Sequence, residues 1–160
     1  MKVTKAEINK VQKLVKLCVK HLKKKQYELD LPKNAIENAL NVLVVKNIKD
    51  VPSRAGANMI RINIGYWQMG NPTATEYKAF NDDPTIGQID ITDDDDHLLV
   101  MVAHEVAHHI QYRYCPNVAR YRNNYRKPHG ECFQAIYRYL RRDLVNPMIE
   151  ARKEEFEIAA

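Results

Sequence analysis

The chain has 160 residues, 45% of them apolar and 28% charged, with five glycines and seven prolines. That length suits one domain over residues 1–160, and the composition excludes a disordered chain, a collagen-like fibre and a Gly/Pro low-complexity protein. The net charge of +5 is segregated: residues 1–33 hold ten lysines against Glu7, Glu28 and Asp30, whereas residues 76–105 hold nine acids against Lys78 alone. Residues 111–127 swing back to +5 with no acid, and such asymmetry points to a side that faces a polyanion, nucleic acid being one candidate. The longest apolar run, Leu98–Ala103, is far short of the roughly 18–20 residues of a membrane-spanning helix, so no membrane partner is expected. The lysine-rich start lacks the apolar core of a secretory signal. Cys18, Cys115 and Cys132 are odd in number and form no CxxC pair; reduced thiols and a cytoplasmic, nucleoid-accessible location are the expectation.

Thr4-Lys5-Ala6-Glu7 reads as a capping box opening a helix of roughly twenty residues. Behind it Ile8, Val11, Val15, Cys18 and Leu22 recur at alternating spacings of three and four, one apolar stripe with lysines on the remaining faces. Leu31-Pro32-Lys33 breaks the chain, and residues 34–40 suit a short helix. Strand signals follow at Val42–Val45, at the alternating Met59, Ile60, Ile62, Ile64 and Tyr66, and at Gln88–Thr92, with a further candidate at Glu76–Phe80. From Asp93 the pattern turns helical. Asp93–Asp96 stand where an N-cap and first turn would lie, matching the positive end of the helix dipole; a calcium loop is the weaker alternative, because EF-hand spacing is absent. Leu98–Ala103 is apolar on nearly every side, so this helix should be buried. Helical signals resume near His129 and run through Phe133, Ile136, Tyr137 and Leu140. Asn146-Pro147 should interrupt them before a charged terminal helix over residues 148–157.

The buried helix contains His104-Glu105-Val106-Ala107-His108, an HExxH motif. Residues four apart on a helix differ by about 40° in direction and ~6 Å along the axis, so two imidazoles converge on one ion from one face. Glu105 is rotated away from them, where it reaches water at the metal and takes its proton. Catalytic zinc needs a third protein ligand and an open fourth position. His109 projects about 100° from His108 and suits packing or a supporting contact; His97 lies too far along the axis. Gln111 and Tyr114 stand where the metzincin continuation requires Gly and His, which excludes that family. The remaining candidates for third ligand are His129 and Glu131, in Pro128-His129-Gly130-Glu131-Cys132-Phe133.

These two segments together resemble the SprT-like zinc metalloprotease domain, the family of Spartan and related DNA-dependent proteases. His104–His108 matches its HExxH helix, His129–Phe133 its HGxxF motif, Ser53-Arg54-Ala55-Gly56 a small Ala-Gly turn before the second strand, and Gln88–Thr92 the strand preceding the metal helix. The resemblance spans about residues 40–142. It implies an α+β mini-zincin fold, in which an N-terminal helix and a small sheet pack on the HExxH helix and a following HGxxF helix. It also implies one Zn²⁺ per chain on His104, His108 and His129, with Glu105 as general base in peptide-bond hydrolysis. The expected substrate is a protein or peptide, DNA-associated proteins included. The chain has no four-cysteine ribbon such as bacterial relatives carry, so DNA dependence does not follow from the resemblance. The best local nucleic-acid candidate is the segment with Arg113, Arg120, Arg122, Tyr125, Arg126 and Lys127, whose cations would meet phosphates while tyrosines stacked on bases; the competing reading is a basic loop that packs its tyrosines on the metal domain. For an oxyanion donor, Tyr112, Tyr125 and Tyr137 stay open. The rival class is a non-catalytic nucleic-acid-binding or scaffold protein with a structural zinc, and an intact Glu105 argues against it.

Overall fold

The computed structural model describes residues 2–31, 36, 40–46, 53–65, 73–75, 80, 83, 86, 88–91 and 93–159. The described residues form an α+β arrangement of four α-helices, a three-stranded sheet and a two-stranded ladder. No helix among them is long and apolar enough to cross a membrane.

Helix α1 (Lys5–Lys25) begins as its sequence dictates. The Thr4 hydroxyl accepts from the Glu7 amide at 3.2 Å, and the Glu7 carboxylate accepts from the Thr4 amide at 2.7 Å. Two otherwise orphaned amides are thereby satisfied. Val11, Val15, Cys18, Val19 and Leu22 are the buried stripe, while Ile8 is only half-buried. Lys23, Lys24 and Lys25 close the helix at the negative end of its dipole. Asp30 then turns through a left-handed conformation (φ 57°), which sends Leu29 and Leu31 into the core.

Strand β1 (Val42–Val45) runs parallel to β3 (Ile60–Asn63), with Val42 opposite Ile60. The short β2 (Arg54–Ala55) pairs antiparallel on the other side of β3, giving the order β1-β3-β2. Central β3 turns Ile60 and Ile62 fully into the core, the reason for its alternation. A separate antiparallel pair joins β4 (Thr73–Thr75) to β5 (Gln88–Asp90). The strands expected at Val42–Val45 and near Ile60 and Gln88 are therefore present, each shorter than or equal to its expected span. The short helix over residues 34–40, Tyr66, and most of the Glu76–Phe80 strand lie outside the described residues.

Helix α2 (Asp94–Tyr114) is the centre of the molecule. Asp93 caps it, its carboxylate accepting from the amides of Asp95 and Asp96 at 2.8 Å each. The aspartate run therefore works at the helix start, and two of its members reach neighbours: Lys10 of α1 pairs with Asp95, and Arg152 meets the fully buried Asp96 at 2.7 Å. Leu99, Val102, Ala103, Val106, Ala107 and Ile110 are completely shielded, because α1, α3 (Glu131–Leu140) and the sheet cover the helix from several sides. A helix surrounded in this way has no need of a polar stripe.

Asn146-Pro147 does not interrupt the last helical stretch. Helix α3 widens into a π-turn over Arg141–Val145 and continues as α4 (Asn146–Ala159). The Asn146 amide donates to the Arg141 carbonyl, five residues back. A proline inside a regular helix loses one hydrogen bond and clashes with the carbonyl four residues earlier. The wider turn displaces that carbonyl, so the helix swells where the sequence predicted a break.

The cysteines also differ from expectation. Cys115, directly after α2, is bonded to Cys132 in the first turn of α3, and Cys18 alone is a free, buried thiol. The reading of three reduced thiols holds only for Cys18. Spacing could not reveal the bridge, because its cysteines stand 17 positions apart and the chain between them loops out and returns.

Candidate metal centre

His104 and His108 lie one helical turn apart on α2, and the chain returns to them through the segment 116–130 with His129 just before the Gly130 N-cap of α3. One nitrogen from each of the three rings lies within 4.8 Å of the other two, a set able to hold one metal ion. The Nε2 atoms of His108 and His129 are 3.0 Å apart. Two nitrogens bound tetrahedrally to one zinc at roughly 2.0–2.1 Å stand about 3.3 Å from each other, so this pair already has nearly that separation.

Phe133 forms the floor. Its ring lies 4.3 Å from His108, 5.0 Å from His104 and 4.9 Å from His129, centroid to centroid, and it is fully buried with Phe80 behind it. The aromatic residue of the HGxxF segment thus touches all three imidazoles. Burial depresses the basicity of each: His108 falls to about 4, and His104 and His129 also lie below the usual imidazole range. For His104 the neighbouring imidazoles and the Arg141 guanidinium push in the same direction. Neutral imidazoles present lone pairs, the form in which histidine binds zinc.

Glu105 is 6% exposed, and its Oε2 has no hydrogen-bond partner among the described residues. Burial pushes its carboxyl up to about 8. A carboxyl oxygen buried without a partner is costly unless a cation or a water completes it. The three imidazole nitrogens could hold one metal ion, and their donor type suits zinc.

Glu131 is not among these donors. Its carboxylate lies outside, held by Arg120 at 2.6 Å and by the Asn124 amide at 3.3 Å. Helix direction explains the choice: Glu131 is the first residue of α3, past the Gly130 cap, whereas His129 precedes the cap. A Cβ on Gly130 would lie 2.9 Å from Lys127 Cβ, so only glycine permits this close return. His109 takes the supporting role, its Nδ1–H donating to the Gly56 carbonyl at 2.7 Å and tying α2 to the end of β2. His97 is buried two turns upstream and outside the donor set.

Among the tyrosines, Tyr112 lies parallel to His108, 5.8 Å away at 9° between planes, half-buried and near enough to feel the Glu105 charge. Tyr137 is fully buried, its hydroxyl accepting from Arg141 at 3.3 Å, and the Tyr125 hydroxyl accepts from Arg126 at 3.1 Å. In the basic segment Arg113, Arg120, Arg122, Arg126 and Lys127 are exposed. Arg120 is engaged with Glu131, and Arg113 donates to Asn58 at 3.4 Å. Tyr114 and Tyr121 are buried, so the stacking on bases expected of this segment's tyrosines is unavailable to those two.

Gln111 and Arg141 are the residues that sequence reasoning missed. Gln111, 0% exposed, bonds His108 Nδ1 at 3.0 Å and the carbonyls of Tyr125 and Lys127 at 2.7 and 2.6 Å. The signal was its place three residues after His108, on the same helix face. Arg141, equally buried, spans Tyr137 and Asn146 behind His104. A lone arginine at a π-turn left no readable pattern. Comparison with protein-family models, with curated proteins and with solved structures finds no match to this chain.

Proposed function

We propose that the chain is a zinc-dependent metallopeptidase of the SprT-like, mini-zincin kind. The observation that carries the reading is the convergence of His104, His108 and His129 beside a buried Glu105 with an orphaned oxygen. His104, His108 and His129 would hold the ion; when bound, zinc acidifies water and polarises a carbonyl. Glu105 accepts a proton as water oxygen attacks the peptide carbonyl carbon, and returns it to the leaving nitrogen as the C–N bond breaks. Tyr112 would donate to the developing oxyanion, a role its half-buried stacking on His108 supports. Among the described residues three donors converge, which supports catalysis over a purely structural site, which takes four. The exposed Arg122, Arg126 and Lys127 favour DNA-associated proteins as substrates, since those cations would meet phosphates near the site.

The test is turnover of a basic protein such as a histone, with and without single-stranded DNA, by wild type and Glu105→Gln at matched zinc occupancy. The amide keeps the size of the side chain but accepts no proton, so a loss of ~10²–10⁴-fold is expected. A variant within a few-fold of wild type would remove Glu105 as general base. A wild type inert on the basic protein both with and without DNA would move weight to the scaffold reading.

A further inference from the structure

We propose that Gln111 is the positioning residue of the metal centre: one buried carboxamide fixes which nitrogen of His108 faces the site and suspends the turn that delivers His129. The proposal rests on the metal-centre reading above.

A carboxamide has one accepting end and one donating end. The end of Gln111 that faces the protein turn lies 2.7 Å from the Tyr125 carbonyl and 2.6 Å from the Lys127 carbonyl. Both neighbours only accept, so this end is the NH₂ group, and each of its hydrogens is used. Rotating the amide would set three oxygens against one another in a site with no water contact. The other end is therefore Oε1, 3.0 Å from His108 Nδ1. An oxygen there requires Nδ1 to carry hydrogen, which leaves Nε2 with its lone pair. That Nε2 is the atom 3.0 Å from His129 Nε2.

The same side chain acts on His129 through the backbone. Lys127 stands two residues before it, and the Gly130 amide donates to the Lys127 carbonyl at 3.0 Å. On the far side the Gln134 side-chain Nε2 donates to the His129 carbonyl at 2.9 Å. His129 is thus held between two glutamines, one of which also orients His108. His108 and His129 lie far apart in sequence, and Gln111 bonds the first directly and the turn before the second through the Tyr125 and Lys127 carbonyls. Partners of this kind typically contribute 10–100-fold to metal affinity.

Two substitutions separate the roles. Gln111→Glu keeps an acceptor for His108 Nδ1–H but has no hydrogen for the carbonyls of Tyr125 and Lys127. Gln111→Leu removes both functions at similar volume. The first measurement is the tautomer of His108 in metal-free wild type, read from long-range ¹H–¹⁵N correlations of ¹⁵N-histidine-labelled protein. The expected result is hydrogen on Nδ1; hydrogen on Nε2 overturns the proposal, and no variant is needed to see it. The second is zinc affinity by competition with a chromophoric chelator. Gln111→Glu should keep the Nδ1–H tautomer yet bind zinc 10–100-fold more weakly, and Gln111→Leu should lose tautomer selection and bind no better. A variant with wild-type circular dichroism and zinc affinity within threefold of wild type contradicts the proposal. Failure of wild type to take up zinc would count against the metal centre itself, while the tautomer still decides the part played by Gln111.

Discussion

A histidine at the surface is half-protonated near pH 6.5, and three of them crowded together would repel as cations. Burial against Phe133 keeps His104, His108 and His129 neutral, so the same packing that lowers their basicity leaves their lone pairs available. His104, Glu105 and His108 could be read directly from the sequence, because helical periodicity alone fixes their relative directions. His129 could not be separated from Glu131 by spacing; two residues of chain decide it, and the Gly130 cap between them was the physical determinant. Gln111 was hidden for a stronger reason, since two of its three partners exist only once residues 125–127 have returned to α2. A different single residue yields a pH prediction. Glu7 is held down to about 2, first by its bond to Lys46 at 2.8 Å and then by the Thr4 cap. Its folded value lies below the ordinary 4.5, so its contribution is complete above that pH and disappears as pH falls towards 2. Being a surface pair it should amount to less than about 1 kcal/mol and shrink with salt. Unfolding of wild type and Glu7→Gln, followed from pH 6 to 2, should show a stability gap that closes in that window. A gap constant over the whole range would show that the carboxylate charge adds nothing.

Among the elements, those with both a cap and a periodic apolar face were legible in advance. Helix α1 has its capping box and its stripe, and α2 its aspartate cap and all-apolar middle. The departures are places where long-range structure overrides a local rule. Pro147 looked like a stop, but the π-turn over Arg141–Val145 accommodates it, with Arg141 Nε donating to Asn146 Oδ1 at 3.0 Å across the widened turn. The Cys115–Cys132 bridge looked like two unrelated thiols. It joins the end of the HExxH helix to the start of α3, closing the loop that carries His129. A 17-residue separation predicts about 3 kcal/mol of stabilisation, chiefly by restricting the unfolded chain. Denaturant unfolding of Cys132→Ser against the oxidised wild type should show a midpoint shift of that size with the slope nearly unchanged. An equal shift in wild type on adding reductant is expected, and stability indifferent to both would mean that the loop is held by Gln111, Gln134 and packing alone.

For the molecule as a whole, the segregated charge of the sequence has a partly internal use. The lysine-rich α1 and the acidic start of α2 meet at Lys10 and Asp95, Arg152 of α4 neutralises Asp96, and Arg138 and Arg142 converge on Asp83 at 3.3 and 2.6 Å. Part of what looked like a polyanion-facing side therefore pairs acids distant in sequence. The pairs to Asp95 and Asp96 tie α1 and α4 to α2, α3 packs against α2 as well, and the three histidines lie where α2 meets the returning chain. All of the chemistry proposed for this protein depends on that convergence holding a metal. The most direct test is zinc titration of metal-free protein, with zinc-edge absorption on the loaded form, for wild type, His129→Ala and Glu131→Ala. One ion per chain with three nitrogen neighbours at about 2.0–2.1 Å in wild type and Glu131→Ala, and a site lost or left with two such nitrogens in His129→Ala, is the result predicted. No uptake by wild type, or a site that survives His129→Ala and is lost in Glu131→Ala, would contradict it.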